Sequence, residues 1–255
     1  MASVPTIGPD AIGLSRCGAA FATLDERGDL TMRDDRRFLG RLAPLCLAVP
    51  IWLAPGAAGA QAPTNPNLNA QLLVGARQGD LAQVERVLAA GAVPSSRNRL
   101  GKTALLLAAE KGNLAIVDAM LKSGADVDQA SIEGVTPLMA ASYGGAEPVV
   151  RRLLAAGAKT ATVDRMNKPA VVYAAGQGNA GALDALLGSG IDINATYEHQ
   201  LTALMWAAGQ GQVDAVKLLL RRGAQRDLRD DRGLTAAEIA RQARQDAAVA
   251  ALAAP

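Results

Sequence analysis

Aromatic residues are scarce: two phenylalanines, two tryptophans and three tyrosines make up 3% of the 255 residues. Both phenylalanines, Phe21 and Phe38, and one tryptophan, Trp52, fall in the first sixty positions. From Gln61 onward the aromatics are Tyr143, Tyr173, Tyr197 and Trp206. A core with so few rings has to be close-packed Ala, Leu and Val, which suits small helices touching at short range. The two cysteines, Cys17 and Cys46, also precede Gln61, so disulfides and thiol chemistry are excluded from the rest of the chain. A single histidine, His199, is too few for a histidine-based metal site. Charge of one sign is missing as well. With 26 basic and 24 acidic residues the net charge is +2, which leaves no basic footprint for nucleic acid.

Long apolar runs are absent too, and the longest one belongs to a recognisable leader. Residues 1–31 show no hydrophobic period and mix Gly, Pro, Ser and charge, which reads as disorder. From Met32 the chain runs through the basic stretch MRDDRRFLGR, the apolar LAPLCLAVPIWLA and the small-residue PGAAGAQA. Those are the three parts of a secretory signal peptide at 32–60, with cleavage after Ala60 or Ala62. The apolar part, broken by Pro44 and Pro50, is too short for a bilayer core, which needs about 20 residues. Cys46 follows Ala43-Pro44-Leu45, without the small residue that a lipoprotein signal carries there. Arg36-Arg37 with Phe38-Leu39 matches a twin-arginine signal only in part, so the export route stays open. Because signal peptides begin at the N-terminus, this pattern favours Met32 over Met1 as the start. The alternative is a disordered or membrane-tethered leader. Residues 61–67 read as a linker.

What is there, after Gln71, is a strict period of 33 residues. It relates Gly91, Gly124, Gly157, Gly190 and Gly223, and also Gly79, Gly112, Gly145, Gly178 and Gly211. Thr103, Thr136, Thr202 and Thr235 share it, with Pro169 in the gap. So do Leu72, Leu105, Leu138, Val171 and Leu204, and again Val84, Val117, Val150, Leu183, Val216 and Val249. Each unit reads as two short helices. In TPLMAASYGG, Thr136 caps a helix start and Pro137 takes the first helical position. Glycine in a left-handed conformation ends that helix. A second helix follows, as in EPVVRRLLAAG, with Val150, Leu153 and Leu154 on one face. Helices this short persist only by stacking on their neighbours.

The spacing, with Thr-Pro-Leu-Met-Ala-Ala opening a unit and Leu-Leu-Ala-Ala-Gly-Ala closing it, resembles the ankyrin repeat. The resemblance spans residues 68–255 as about five repeats and a C-terminal cap. It implies an all-α solenoid of stacked helix-turn-helix pairs joined by hairpin-like loops. The family has His after Thr-Pro-Leu, where this chain has Leu106, Met139, Val172 and Met205, so a local polar tie is expected to be missing. The sixth unit has Arg244 where the inter-helix glycine belongs.

No constellation for catalysis accompanies the repeats. Asp126 with Asp128 and Asp192 with Asn194 occupy one register and read as turn residues. The glycines recur as helix ends and do not follow a phosphate-loop spacing. Arg151-Arg152 and Arg221-Arg222 close second helices, where positive charge suits the dipole. The expectation is a protein that is not an enzyme, with no catalytic, metal or cofactor-binding residues and no cofactor. Its partner would be another protein, without nucleic acid or a membrane span, and the chain would act as a monomer.

The resemblance implies partner contacts on loop tips and on the exposed ends of first helices. In this register the tips are Arg99, Leu100 and Lys102, then Ile132, Glu133 and Val135, then Arg165, Met166 and Lys168, then Glu198, His199 and Leu201, then Asp231 and Arg232. First-helix positions are Lys111, Tyr143, Gln177, Trp206 and Gln210. Tyr173 shares the Trp206 column, and packing between stacked helices competes with a binding role for both. An interaction module of the periplasm or cell envelope is the primary reading. A secreted effector that binds host proteins is the alternative.

Overall fold

Threonine explains where most of the first helices of the repeats begin. Thr103, Thr136, Thr202 and Thr235 each accept, through the side-chain oxygen, the backbone N–H three residues on, from Leu106, Met139, Met205 and Glu238. That satisfies one of the donors a helix start leaves unpaired. In the computed structural model, which describes residues 66–254, these caps open four of the six first helices of a regular series. First helices are α1 (Pro66–Gln78), α3 (Ala104–Glu110), α5 (Pro137–Gly144), α7 (Ala170–Gln177), α9 (Ala203–Gly209) and α11 (Ala236–Gln242). Second helices are α2 (Leu81–Ala89), α4 (Leu114–Lys122), α6 (Glu147–Ala155), α8 (Ala180–Leu187), α10 (Val213–Arg221) and α12 (Asp246–Ala253).

Each first helix packs on the next first helix, and each second helix on the next second helix, giving two layers. Among the described residues the only β pairing is two isolated bridges, Arg97 with Thr103 and Thr196 with Thr202. The all-α repeat architecture expected from the 33-residue period is therefore present. The chain divides into residues 1–56 and 57–255, and the array lies in the second. The segment 1–31 expected to be disordered, the signal peptide expected at 32–60 and most of the linker expected at 61–67 lie outside the described residues. The first helix starts at Pro66, inside the stretch read as linker.

The core is a set of columns with one residue per repeat. Leu72, Leu105, Leu138, Val171 and Leu204 are buried, as are Val84, Val117, Val150, Leu183 and Val216. A third column, Val87, Met120, Leu153, Leu186, Leu219 and Leu252, seals the second-helix layer. Leu154 departs from expectation. It shares the apolar pattern of Leu153, but it is only half-buried and lines a surface depression with Gly157, Ala158 and Ser189. Neighbouring helical residues point about 100° apart, and here the inner direction belongs to Leu153.

Two family features are replaced by other chemistry. The polar tie expected to be absent has a substitute in two repeats, where the sulfurs of Met139 and Met205 accept the N–H of Thr136 and Thr202 at 3.5 Å. In the last unit Glu238 does this more strongly, accepting from the Thr235 N–H at 2.7 Å and from its hydroxyl at 2.8 Å. Those bonds hold the Glu238 carboxyl below its ordinary pKa. The carbonyls that end a first helix are also capped from the following repeat. The Asn179 carboxamide donates to Ser142 O at 2.9 Å and to Tyr143 O at 2.8 Å. That side chain sits against Gly145, whose φ of 70° and lack of a Cβ leave room for it.

In the last repeat Arg244 takes the same left-handed position at φ 56°. A side chain there costs about 1–2 kcal/mol, partly offset by the greater freedom that glycine loses on folding. Arg244→Gly is therefore expected to raise stability by about 0.5–1 kcal/mol, read as a higher urea midpoint with unchanged slope. A lower midpoint would mean that Arg244 makes a compensating contact.

Candidate functional site

Between repeats the chain makes narrow hairpins, and one side-chain column closes them. Asn98 Oδ1 accepts the N–H groups of Leu100 and Lys102 at 2.9 and 3.0 Å. Asp164 Oδ1 accepts those of Met166 and Lys168, both at 2.9 Å, and Asp230 Oδ1 those of Arg232 and Leu234 at 3.0 and 2.8 Å. Ser131 does the same for Val135 at 3.3 Å. Burial pushes the Asp230 carboxyl up, but these N–H donors and the Arg232 guanidinium outweigh it and hold the group below its ordinary value.

Successive tips are then tied to one another. Ile132 N–H donates to Leu100 O at 3.0 Å, Arg165 N–H to Glu133 O at 3.0 Å, and Asp231 N–H to His199 O at 3.1 Å. Among the described residues the corresponding bond between Met166 and Glu198 is not made. At Gly101 and Gly134 an added Cβ would come within 2.8 Å of Ile132 N and 3.0 Å of Asp164 Cα. Asn167 occupies that position at the unbonded junction, at φ 55°. That hairpin also lacks the closing side chain, since Tyr197 stands in the column. It winds instead into a three-ten turn, Glu198–Gln200, with His199 and Gln200 at φ 57° and 55°. A depression of about 530 Å³ opens at the base of this junction, beside Val163, Asn167 and Tyr197.

The sequence-predicted contact residues divide by burial. Arg99, Leu100, Ile132, Glu133, Arg165, Met166 and His199 are exposed at the tips, and Lys111, Tyr143, Gln177 and Gln210 at the ends of first helices. Leu201 is not a free tip residue: like Val135 in its column, it is half-buried against the core. Its place on the return limb of the hairpin turns it inward. Lys102 is held by Glu110 at 2.5 Å. His199 Nδ1 lies 2.9 Å from Asp231 of the next hairpin, closer than its neighbour Glu198 at 3.9 Å.

The structure brings four of the first-helix residues together. Tyr143, Gln177, Trp206 and Gln210 line one depression of about 210 Å³, with Lys168, Val172, Tyr173 and Gly176. Tyr143 meets Tyr173 edge to face, with ring centroids 6.0 Å apart and planes at 77°. Lys168 Nζ lies 4.6 Å from the centre of the Trp206 ring, a favourable cation–π arrangement. The Tyr173 hydroxyl donates to Asp164. Burial first, then that bond and the Asp164 charge, push its pKa far above the ordinary tyrosine range, so it stays a neutral donor. Trp206 Nε1 is buried and has no acceptor among the described residues.

Tyr173 and Trp206 both pack against the core and both line the depression. Asp164, which organises the hairpin and anchors Tyr173, lies outside the tip and first-helix positions that the repeat register marks. Its repeat equivalents Asn98 and Asp230 were the available signal.

The second-helix side is used differently. Arg152 Nε pairs with Asp118 at 2.5 Å and Arg222 with Asp184, each reaching back to the preceding repeat. The dipole reading of these arginines therefore needs the inter-repeat pair added to it. Among the described residues no cluster of three or more His, Cys, Asp or Glu is arranged to hold a metal ion. No described helix is long and apolar enough to cross a membrane. A family model for ankyrin repeats in three copies matches residues 72–167 and again 170–255. A comparison with curated proteins gave no match.

Proposed function

Because the chain belongs to the ankyrin-repeat family, we propose that it is a non-enzymatic scaffold that binds another protein through its hairpin tips and the exposed ends of its first helices. One observation carries this reading. The described large apolar residues that are more than half exposed are Leu100, Ile132, Tyr143 and Met166, and all lie on that surface. Interfaces draw most of their energy from a few such anchors inside a polar rim. Arg99, Glu133, Arg165 and Gln177 supply the rim.

The place of action is the cell envelope, reached by export through the segment at 32–60. The basic, apolar and small-residue order of that segment supports it. Affinity capture with the full chain from an envelope extract is expected to recover a protein partner. Cell fractionation with N-terminal sequencing is expected to find a product that begins at Gln61 or Pro63. A product retained in the cytosol and intact from Met1 would overturn the envelope assignment. Recovery of the mature protein from host cells instead would favour the effector.

A further inference from the structure

We propose that the slot over Gly176 receives an acidic side chain of the partner, which pairs with Lys168; this rests on the reading of the surface as the partner-binding face. The argument is a comparison of two repeats. Lys102 and Lys168 occupy the same register, two repeats apart. Lys102 has its counter-charge within its own repeat, with Nζ 2.5 Å from Glu110. The residue in the Glu110 register of the Lys168 repeat is Gly176.

Accordingly Lys168 has no carboxylate within ion-pair distance among the described residues, and its ammonium rests over the Trp206 ring. A Cβ built on Gly176 meets nothing within 4 Å. At Gly209, the next residue in the column, it would meet Ile239 at 3.1 Å. The missing carboxylate and the empty volume therefore coincide in one place.

Around that volume the groups suit a peptide better than a bare anion. The aromatic side chains of Tyr143 and Trp206 line it. The exposed carboxamides of Gln177 and Gln210 make no hydrogen bond to described residues, and such groups match the donors and acceptors of a peptide backbone. A bound glutamate would restore at Lys168 what Glu110 provides at Lys102. Charge-assisted hydrogen bonds of this kind are the stronger ones.

The test uses the full chain, isotope-labelled, with the backbone N–H of Gly176 and the indole N–H of Trp206 as NMR reporters. Acetyl-Ala-Glu-Ala-amide at millimolar concentration is expected to shift both signals. Acetyl-Ala-Gln-Ala-amide should bind at least tenfold more weakly. Lys168→Met, which keeps the stem on the ring and removes the charge, should weaken the Glu peptide by a similar factor. Gly176→Glu should fill the slot from within and abolish the shifts. Its melting temperature should rise, since a helix-interior glycine is replaced at an unstrained position, so lost binding could not be ascribed to misfolding.

Equal shifts with the Gln peptide, or none with the Glu peptide, would overturn the proposal. Acetate acting as strongly as the Glu peptide would assign the slot to small anions and overturn it too. With a captured partner, loss of binding on tip substitutions but not on Gly176→Glu leaves the face standing and removes the acidic occupant. Loss on neither removes the face itself.

Discussion

Leu153→Ala is expected to destabilise the array by about 2–5 kcal/mol, the cost of deleting a large side chain from a packed site that cannot fully collapse. Leu153 is 0% exposed, in the middle of the second-helix column, with repeats on both sides. Leu154→Ala, one residue on, should cost about 1–2 kcal/mol, because half-buried Leu154 loses less apolar area. Leu252→Ala makes the third comparison. That side chain is almost as buried, at 5% exposed, but it belongs to α12, which has a neighbour on one side only. Its loss should fray the terminal repeat and lower the main transition less than Leu153→Ala does. Urea melts followed by circular dichroism measure all three. Equal losses at Leu153 and Leu252 would contradict a nearest-neighbour array, and a larger loss at Leu154 would place the wrong leucine in the core.

Replacing Ile132, Tyr143 and Met166 together by Ala is expected to weaken partner binding at least tenfold, or about 1.4 kcal/mol. The three side chains are 52%, 56% and 57% exposed, so their removal leaves no cavity and should barely change stability. Tyr143 has a second reason to matter, since it forms one wall of the depression and packs edge to face on Tyr173. Changing Lys122 and Lys217 to Ala is the control. Both are exposed on second helices, and neither makes an ion pair among the described residues. Arg152 would be a poor control despite its outward register, because it bridges to Asp118 in the preceding repeat. Calorimetric titration with the captured partner decides the matter. If the lysine changes weaken binding and the apolar changes do not, the binding face is on the second-helix side.

Periodicity alone determined the fold, because every core column is a local rule applied again every 33 residues. Thr at a helix start and Gly at its end act through their own backbone neighbours, so Thr136 and Gly145 are legible without a structure. The same holds for Arg244, whose left-handed conformation follows from standing in a glycine column. The tips were legible too, since Arg99, Leu100, Ile132, Met166 and His199 break the column pattern where packing imposes nothing.

What the period could not decide was direction and distance. Leu153 and Leu154 are equally apolar, and only the neighbouring helix shows which one faces inward. Met139 and Met205 carry no sign of hydrogen bonding until the cap places an N–H 3.5 Å from each sulfur. Leu201 reads as a tip residue until the hairpin folds it back against the core. Lys168, Tyr173, Gly176 and Trp206 come from three segments of two adjacent repeats, Lys168 before α7, Tyr173 and Gly176 within it, and Trp206 on α9. Their meeting depends on the stacking distance between repeats. A sequence records which residue recurs in each repeat, but the space left by one that does not recur, such as the carboxylate absent at Gly176, exists only once the neighbouring repeats are in place.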